Sequence, residues 1–132
     1  NMATRASITL KENGKTVAAV YKHWDGYIKG GLGDTLTDII QGGKLVDGLG
    51  PESELGKVFN GTGCLFASII ALLKRTPGDV YLVAPEDVGH QGEDYLYTIE
   101  VVDPGYDGGI IITLEVEDVD RKIKTQYASW NY

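Results

Sequence analysis

The chain has 132 residues, of which 42% are hydrophobic and 23% are charged, and its formal net charge is −7 at pH 7. This length and composition are typical of one soluble globular domain with a real core, so we expect a single domain over residues 2–132. The negative charge argues against a nucleic-acid polymer or an anionic membrane as the main partner. The single cysteine, Cys64, excludes an intramolecular disulfide and a multi-cysteine zinc site.

The cellular compartment is predicted from the same features. Residues 3–11 alternate and carry charge, unlike a signal peptide, and the apolar run 64–73 is too short to span a bilayer. A lone cysteine in an apolar run fits a reducing compartment, so we expect a cytoplasmic protein. Asn1 precedes Met2, and we interpret Asn1 as a residue left by cloning.

A β-hairpin is predicted at the start of the chain. Residues 4–11 alternate in the strand period, and Asn13-Gly14 is a strong signal for a two-residue turn into a second strand, residues 15–23. The register predicted for that turn gives a core face with these residues: Leu10 opposite Val17, Ile8 opposite Ala19, Ala6 opposite Tyr21, and His23 beyond them. On the other face Arg5 would oppose Lys22, which indicates either two side chains splayed into water or an anion site.

Two helices are predicted next. Asp34 is a suitable N-terminal cap for the first helix, and Gly42-Gly43 ends it. Residues 44–62 lack periodicity and are predicted as a long loop, a kind of segment that is often functional. The second helix is predicted over residues 64–75. Because it is apolar on most sides, we expect it to pack on a sheet on one side and on another helix or subunit on the other.

The remaining chain is predicted to be mostly β-structure. Strands are predicted at residues 79–84, 95–101 and 110–116, with a turn at 103–109, and residues 121–132 alternate weakly as in a last strand. The order ββ-αα-βββ predicts an α+β fold: a small antiparallel sheet with two helices packed on one face.

The stretch 21–27, Tyr-Lys-His-Trp-Asp-Gly-Tyr, has the highest density of groups able to bind a small polar ligand. It lies where the hairpin ends and before the first helix, and loops on a rigid scaffold are where binding groups concentrate. The alternative interpretation is a wet strand end whose aromatic rings cap the core.

Motifs for catalysis and for metal binding are weak in this sequence. His23 with Asp25, or His90 with Glu93 and Asp94, would hold a cation only if loops met, and neither spacing matches a zinc motif. The nucleophile-elbow, P-loop and dinucleotide fingerprints are all missing from the sequence. We therefore expect no metal, no cofactor and no catalytic residue.

The residue types instead suit a nucleotide-derived ligand. Aromatic rings stack on bases, basic side chains bind phosphate, and amide or carboxylate groups read a base edge or a ribose hydroxyl. The ligand-binding residues predicted on this chemistry are Arg5, Lys22, His23, Trp24, Tyr27, Tyr81, Gln91, Asp94 and Arg121.

Residues 21–27, followed by Gly31-Leu32-Gly33, resemble a segment of small phage-encoded proteins that open with a Thr-Arg-Ala strand, here residues 4–6. The resemblance continues at residues 59–65 and 95–99 and covers most of the chain. Many of these proteins carry proline at the position of Ile28. Among them, the chain is similar to the first family of Thoeris anti-defence proteins.

This resemblance implies a sponge, a phage protein that sequesters cyclic ADP-ribose isomers made by bacterial TIR enzymes without cleaving them. Some members also bind cyclic oligonucleotides. The protein would act in the cytoplasm of an infected bacterium. We also expect self-association: because helix 64–73 is apolar all round, we expect at least a dimer, and a hexamer is among the assemblies to test.

Two other functions stay open on the sequence. The first is an enzyme that degrades a cyclic nucleotide signal with His23 or His90 as acid or base. The second is a phage adaptor or structural protein that binds no small ligand.

Overall fold

The computed structural model describes residues 3–105 and 109–132. The predicted native start at Met2 and part of the predicted turn 103–109 lie outside the described residues. In chain order the elements are β1 (Ala6–Glu12), β2 (Lys15–Lys22), α1 (Leu32–Gln41), β3 (Lys44–Val46), β4 (Val58–Asn60), α2 (Gly61–Leu73), β5 (Val80–Val83), a 3-10 turn (Pro85–Asp87), β6 (Tyr95–Val102), β7 (Ile111–Asp118) and β8 (Ile123–Asn131).

The main sheet has six strands in the order β5-β2-β1-β6-β7-β8. Neighbouring strands are antiparallel except β1 and β6, which are parallel. The predicted α+β class is confirmed, but the sheet is larger than predicted because the C-terminal segment forms a full strand, and it is mainly rather than wholly antiparallel because β1 and β6 run parallel. Part of the predicted loop 44–62 also forms regular structure, since β3 and β4 pair as a small parallel sheet.

Both helices pack on one face of the main sheet, and that interface is the core. The buried apolar residues of the sheet and the helices form one cluster; its sheet members are Ala6, Ile8, Leu10, Val20, Val80, Tyr97, Ile99, Val101, Ile112, Leu114 and Val116. The outward side of α2 carries small, exposed residues such as Gly63, Ala67 and Ala71. No helix among the described residues is long and apolar enough to cross a membrane.

Both helices differ from the sequence prediction at their ends: α2 spans Gly61–Leu73 with Asn60 as its N-cap, instead of the predicted residues 64–75. Helix α1 ends at Gln41, as Gly42-Gly43 predicted, but it begins before Asp34, with Gly31 as its N-cap. Asp34 lies in the first turn, where its carboxylate accepts hydrogen bonds from the amide of Gly30 at 2.8 Å and from the hydroxyl of Tyr127 at 2.7 Å. Asp34 therefore links α1 to β8.

The predicted hairpin forms, but its predicted register is wrong. A bulge between the Leu10 and Lys11 pairs leaves Val17 outside the ladder and 53% exposed. Beyond the bulge, Ile8 faces Val20 and Ala6 faces Lys22. A shift of one residue moves every side chain of a strand to the other face, so Val20 and Lys22 lie on the helix-covered face. Tyr21 lies on the open face, and the predicted opposition of Arg5 and Lys22 does not occur.

The segment after β2 is anchored to the middle of the sheet at Gly26. The amide of Gly26 donates to the Thr4 carbonyl at 2.9 Å, and the carbonyl of Gly26 accepts the buried Tyr97 hydroxyl at 2.7 Å. A Cβ at Gly26 would lie 2.8 Å from the Cβ of Ala6, so only glycine permits this approach. Burial raises the pKa of Tyr97 far above its ordinary value, so this hydroxyl remains a donor.

Candidate ligand-binding site

A cleft of about 460 Å³ opens on the uncovered face of the sheet, near the β5 edge. We name it the aromatic cleft, and its lining residues are Tyr21, His23, Tyr81, Leu82, Val83 and Gln91. Three of the predicted ligand residues, His23, Tyr81 and Gln91, therefore meet in one place. The other three lining residues were not predicted as ligand residues.

Two tyrosines form the floor of the aromatic cleft. Strands β2 and β5 are antiparallel neighbours in which Tyr21 pairs with Tyr81, so both rings lie on the same face, with centroids 6.2 Å apart. Tyr21 is buried, whereas Tyr81 is 50% exposed. Lys74 Nζ lies 5.6 Å from the Tyr81 ring centroid. Tyr81 thus presents an accessible aromatic face.

His23 extends the floor towards the end of β2. Its Nδ1 lies 2.8 Å from the hydroxyl of Tyr21. Burial raises the pKa of Tyr21, so the hydroxyl keeps its proton, and its hydrogen bond to the imidazole fixes the orientation of the His23 ring. Trp24, 50% exposed, packs edge-on against His23 with ring centroids 5.0 Å apart.

Asp79 holds the segment that carries these two rings. Its backbone carbonyl accepts the amide of His23 at 2.8 Å, and its carboxylate accepts the amide of Trp24 at 3.0 Å and Lys22 Nζ at 2.7 Å. Burial by itself raises the pKa of Asp79, but the hydrogen bonds from Lys22 and Trp24 bring that pKa below its ordinary value. Lys22 is thereby held in an ion pair on the face opposite the aromatic cleft.

Arg5 lies beside the loop on the other side of the aromatic cleft. Its backbone amide donates to the carboxylate of Asp94 at 2.9 Å, and its carbonyl accepts the Asp94 amide at 2.8 Å. A Cβ at Gly92 would lie 2.9 Å from Arg5 Nη1, so the guanidinium packs against the loop backbone. Within residues 3–105 and 109–132 Arg5 has no ion-pair partner. Asp94 supports the Arg5 backbone and does not line the cleft.

A second cleft, of about 330 Å³, opens on the helix-covered face; we name it the polar cleft, and its lining residues are Lys22, Asp25, Gly30, Gly31, Leu32, Thr35, Leu72, Leu73, Arg75 and Asp79. The ring of the exposed Tyr27 borders it, since a Cβ at Gly31 would lie 2.6 Å from that ring. The first amides of α1 already have partners: Leu32 donates to the carbonyl of Asp25 at 2.8 Å, and Asp34 to that of Ile28 at 3.1 Å.

Arg121 does not line the aromatic cleft with His23, Tyr81 and Gln91. It belongs to the turn between β7 and β8, at the opposite end of the sheet from β5. There it lines a separate cleft of about 170 Å³ with Ile28 and Val116, and its guanidinium lies 3.8 Å from the carboxylate of Asp118. The predicted set is therefore split: of its nine residues, three line the aromatic cleft, namely His23, Tyr81 and Gln91, whereas Lys22 lines the polar cleft and Arg121 the third cleft.

The residues missed by the sequence prediction were missed because of the register. The predicted register placed Tyr21 on the core face, so Tyr21 was not expected to line an open cleft. The bulge that moves Tyr21 to the other face was not predicted, because residues 15–18 contain no glycine or proline to indicate it. Leu82 and Val83 belong to an edge strand of four residues, which is too short for alternation to decide which side faces a ligand.

Independent indications of function are few. Among the described residues, no group of three or more His, Cys, Asp and Glu side chains is placed to hold a metal ion. Comparison of the chain with protein-family models, with curated proteins and with solved structures found no match. A functional conclusion therefore depends on the residues of the aromatic cleft and their surroundings.

Proposed function

We propose that the protein binds and sequesters a nucleotide-derived signal in the aromatic cleft without converting it. One observation carries the proposal. Tyr81, whose ring is half-exposed, and Gln91 line one cleft with His23, while the guanidinium of Arg5, unpaired within the described residues, packs against Gly92, the chain neighbour of Gln91.

These groups match the parts of a nucleotide. A base or ribose would stack on Tyr81 or on the exposed ring of Trp24. A phosphate would accept hydrogen bonds from Arg5, and the Gln91 amide would donate to and accept from a base edge. Small-molecule sites typically measure roughly 300–1,000 Å³, and the aromatic cleft, at about 460 Å³, is within that range.

The resemblance of residues 21–27 to phage anti-defence proteins makes a cyclic ADP-ribose isomer the first ligand to test, with cyclic oligonucleotides second. Sequestration is favoured over turnover because, among the described residues that line the cleft, none is a carboxylate, a serine or a cysteine. The usual nucleophiles of covalent catalysis are therefore missing from the described residues of this lining. The proposed setting is the cytoplasm of an infected bacterium.

One observation favours a second candidate, an enzyme that degrades such a signal. The hydrogen bond of 2.8 Å between Tyr21 and His23 orients the imidazole, and an oriented imidazole is a common general acid or base.

Recovery of the ligand separates these functions. The protein is incubated with cyclic ADP-ribose and, separately, with a cyclic trinucleotide, and then denatured by heat. Release of intact ligand supports the sponge, and release of a cleaved product supports the enzyme. If native mass spectrometry detects no bound nucleotide, the sponge proposal is wrong and an adaptor role is favoured. In a parallel thermal-shift assay, a ligand at 100 times its Kd should add about 2.7 kcal/mol of stability.

We also propose that the protein self-associates. The support is the outward side of α2, where Gly63, Ala67 and Ala71 are exposed, together with the nearby exposed side chains of Leu49 and Leu55. Small residues allow a second helix to approach closely, and exposed apolar side chains add area to bury. Light scattering at micromolar concentration should give a multiple of 14.3 kDa; the monomer mass would contradict the proposal.

A further inference from the structure

The loop over residues 88–94, which we name the rim loop, folds around the carboxylate of Glu93. This side chain is 6% exposed. Its Oε2 accepts the Ser7 hydroxyl at 2.6 Å and the Gly89 amide at 2.7 Å, and its Oε1 accepts the Gln91 amide at 2.7 Å. Because Ser7 is buried on β1, one carboxylate ties the rim loop both to itself and to the sheet.

The rim loop places two of the ligand groups. The backbone amide of Gln91 points inward to Glu93, while the side chain of Gln91 lines the aromatic cleft. Gly89 and Gly92 have φ values of 89° and 77°, which side-chain-bearing residues rarely adopt, so the loop curls tightly. The same curl brings Gly92 against the guanidinium of Arg5. The positions of Gln91 and Arg5 thus depend on one loop conformation.

The charge on Glu93 fixes that conformation. Burial by itself raises the pKa of Glu93, but the hydrogen bonds from Ser7, Gly89 and Gln91 bring the pKa below its ordinary value, so the carboxylate is charged at neutral pH. Loss of the charge would leave the amides of Gly89 and Gln91 facing a poor acceptor. Buried donors without an acceptor are costly, so these hydrogen bonds favour one loop geometry.

We propose that Glu93 is a positioning residue of the aromatic cleft, which holds the rim loop in its binding geometry before the ligand arrives. Gln91 and Arg5 then meet the ligand already in place, and less ordering is needed on binding. The consequence for ligand affinity rests on the proposed function, whereas the consequence for the conformation of the loop does not.

Hydrogen exchange of the free protein tests the conformational part. In Glu93→Gln the amides of Gly89 and Gln91 should exchange at least about tenfold faster than in the wild type. The amide of His23, bonded to Asp79 on the other side of the cleft, is the internal control and should change by less than about twofold. Equal acceleration of all three amides would show a general loss of stability and overturn the proposal.

A second variant keeps this test decisive if Glu93→Gln does not fold. Ser7→Ala removes one donor and keeps the carboxylate with its two loop amides, so it should accelerate the same two amides by a smaller factor. Unchanged exchange at Gly89 and Gln91 in the variants that fold would overturn the proposal.

Calorimetry with cyclic ADP-ribose as the probe tests the binding part. Glu93→Gln should weaken binding about tenfold or more. The double variant with Gln91→Ala should be no weaker than Glu93→Gln alone, because Glu93 acts through a group that is then already misplaced. Losses that multiply would overturn the positioning role. If the wild type does not bind this probe, the proposed ligand is wrong, and hydrogen exchange still decides the role of Glu93.

Discussion

The two clefts on either side of β2 differ in how their polar groups are used. Tyr21 and Lys22 are neighbours in one strand, yet Tyr21 lines the aromatic cleft and Lys22 the polar cleft. In the polar cleft the central charges of Lys22 and Asp79 neutralise each other at 2.7 Å, and the first amides of α1 are bonded to loop carbonyls. In the aromatic cleft, the ring of Tyr81 and the side chain of Gln91 face open space.

The difference indicates that the pair of Lys22 and Asp79 stabilises the fold, whereas Tyr81 and Gln91 are available for a ligand. A polar group that is already paired contributes to stability and has little left for a partner. An accessible ring or amide contributes little to stability and can bind. Substitutions in the polar cleft should therefore lower the free energy of unfolding, and those in the aromatic cleft should lower ligand affinity.

The largest effect is expected for Lys22→Ala. It would leave the carboxylate of Asp79 partly buried without its cation, and breaking a buried ion pair typically costs roughly 3–5 kcal/mol. Because neither partner is fully buried, we expect a loss near the lower end, about 3 kcal/mol, by urea denaturation. Lys29→Ala, at an exposed position, is the control. A loss below about 1 kcal/mol would contradict this prediction, because it would show that the pair of Lys22 and Asp79 contributes no more than an ordinary surface ion pair.

Arg5→Ala should have the next largest effect, on binding instead of stability. A hydrogen bond to a charged group contributes about 1.5–3 kcal/mol, so the affinity for cyclic ADP-ribose measured by calorimetry should fall by that amount. Arg121→Ala is the matched control, because Arg121 lies in a different cleft, and Lys57→Ala is a second one. Equal affinities for all three variants would show that Arg5 does not bind the ligand.

Trp24→Ala should weaken the ligand by about 1–3 kcal/mol, the cost of losing one stacking ring. Its ring is 50% exposed and packs against His23, so the melting temperature should change little. If Trp24 instead capped the core, its loss would cost roughly 3–5 kcal/mol of stability. A normal melting temperature together with wild-type affinity would contradict the placement of the ligand beside Trp24.

The smallest effect is expected from pH. The pKa of Asp79 is lowered in the folded protein, so its contribution to stability is present above the unfolded pKa of about 3.9 and is lost as the pH falls through the folded value. Urea denaturation between pH 6 and pH 2 should therefore show a steeper loss of stability in the wild type than in Asp79→Asn. The pKa of Glu93 is also lowered, so the variant should retain part of the slope. Identical slopes would mean that Asp79 is not held by Lys22 in solution.

The sequence by itself determined the local features of this protein. Asn13-Gly14 forms the predicted turn, since the positive φ values that the turn needs are a local property of these two residues. Helix α1 ends at Gln41, immediately before Gly42-Gly43, as predicted. Strand periodicity located the strands of the main sheet but not β3 and β4, and the order of elements gave the α+β class. The stretch 21–27 also predicted two residues at the cleft: His23, which lines it, and Trp24, which packs against His23. Both directly follow the end of β2.

Only the tertiary structure decided which of these groups meet. The bulge at Val17 reversed the faces of β2. It places Val20 in the core shared with the helices and Lys22 beside Asp79, contacts that residues 15–23 alone do not contain. The pairing of Tyr21 with Tyr81 joins residues far apart in the chain. The bond between Ser7 and Glu93 spans 86 residues. Periodicity reports only near neighbours, so the position of the cleft and the role of Glu93 became visible only in the folded chain.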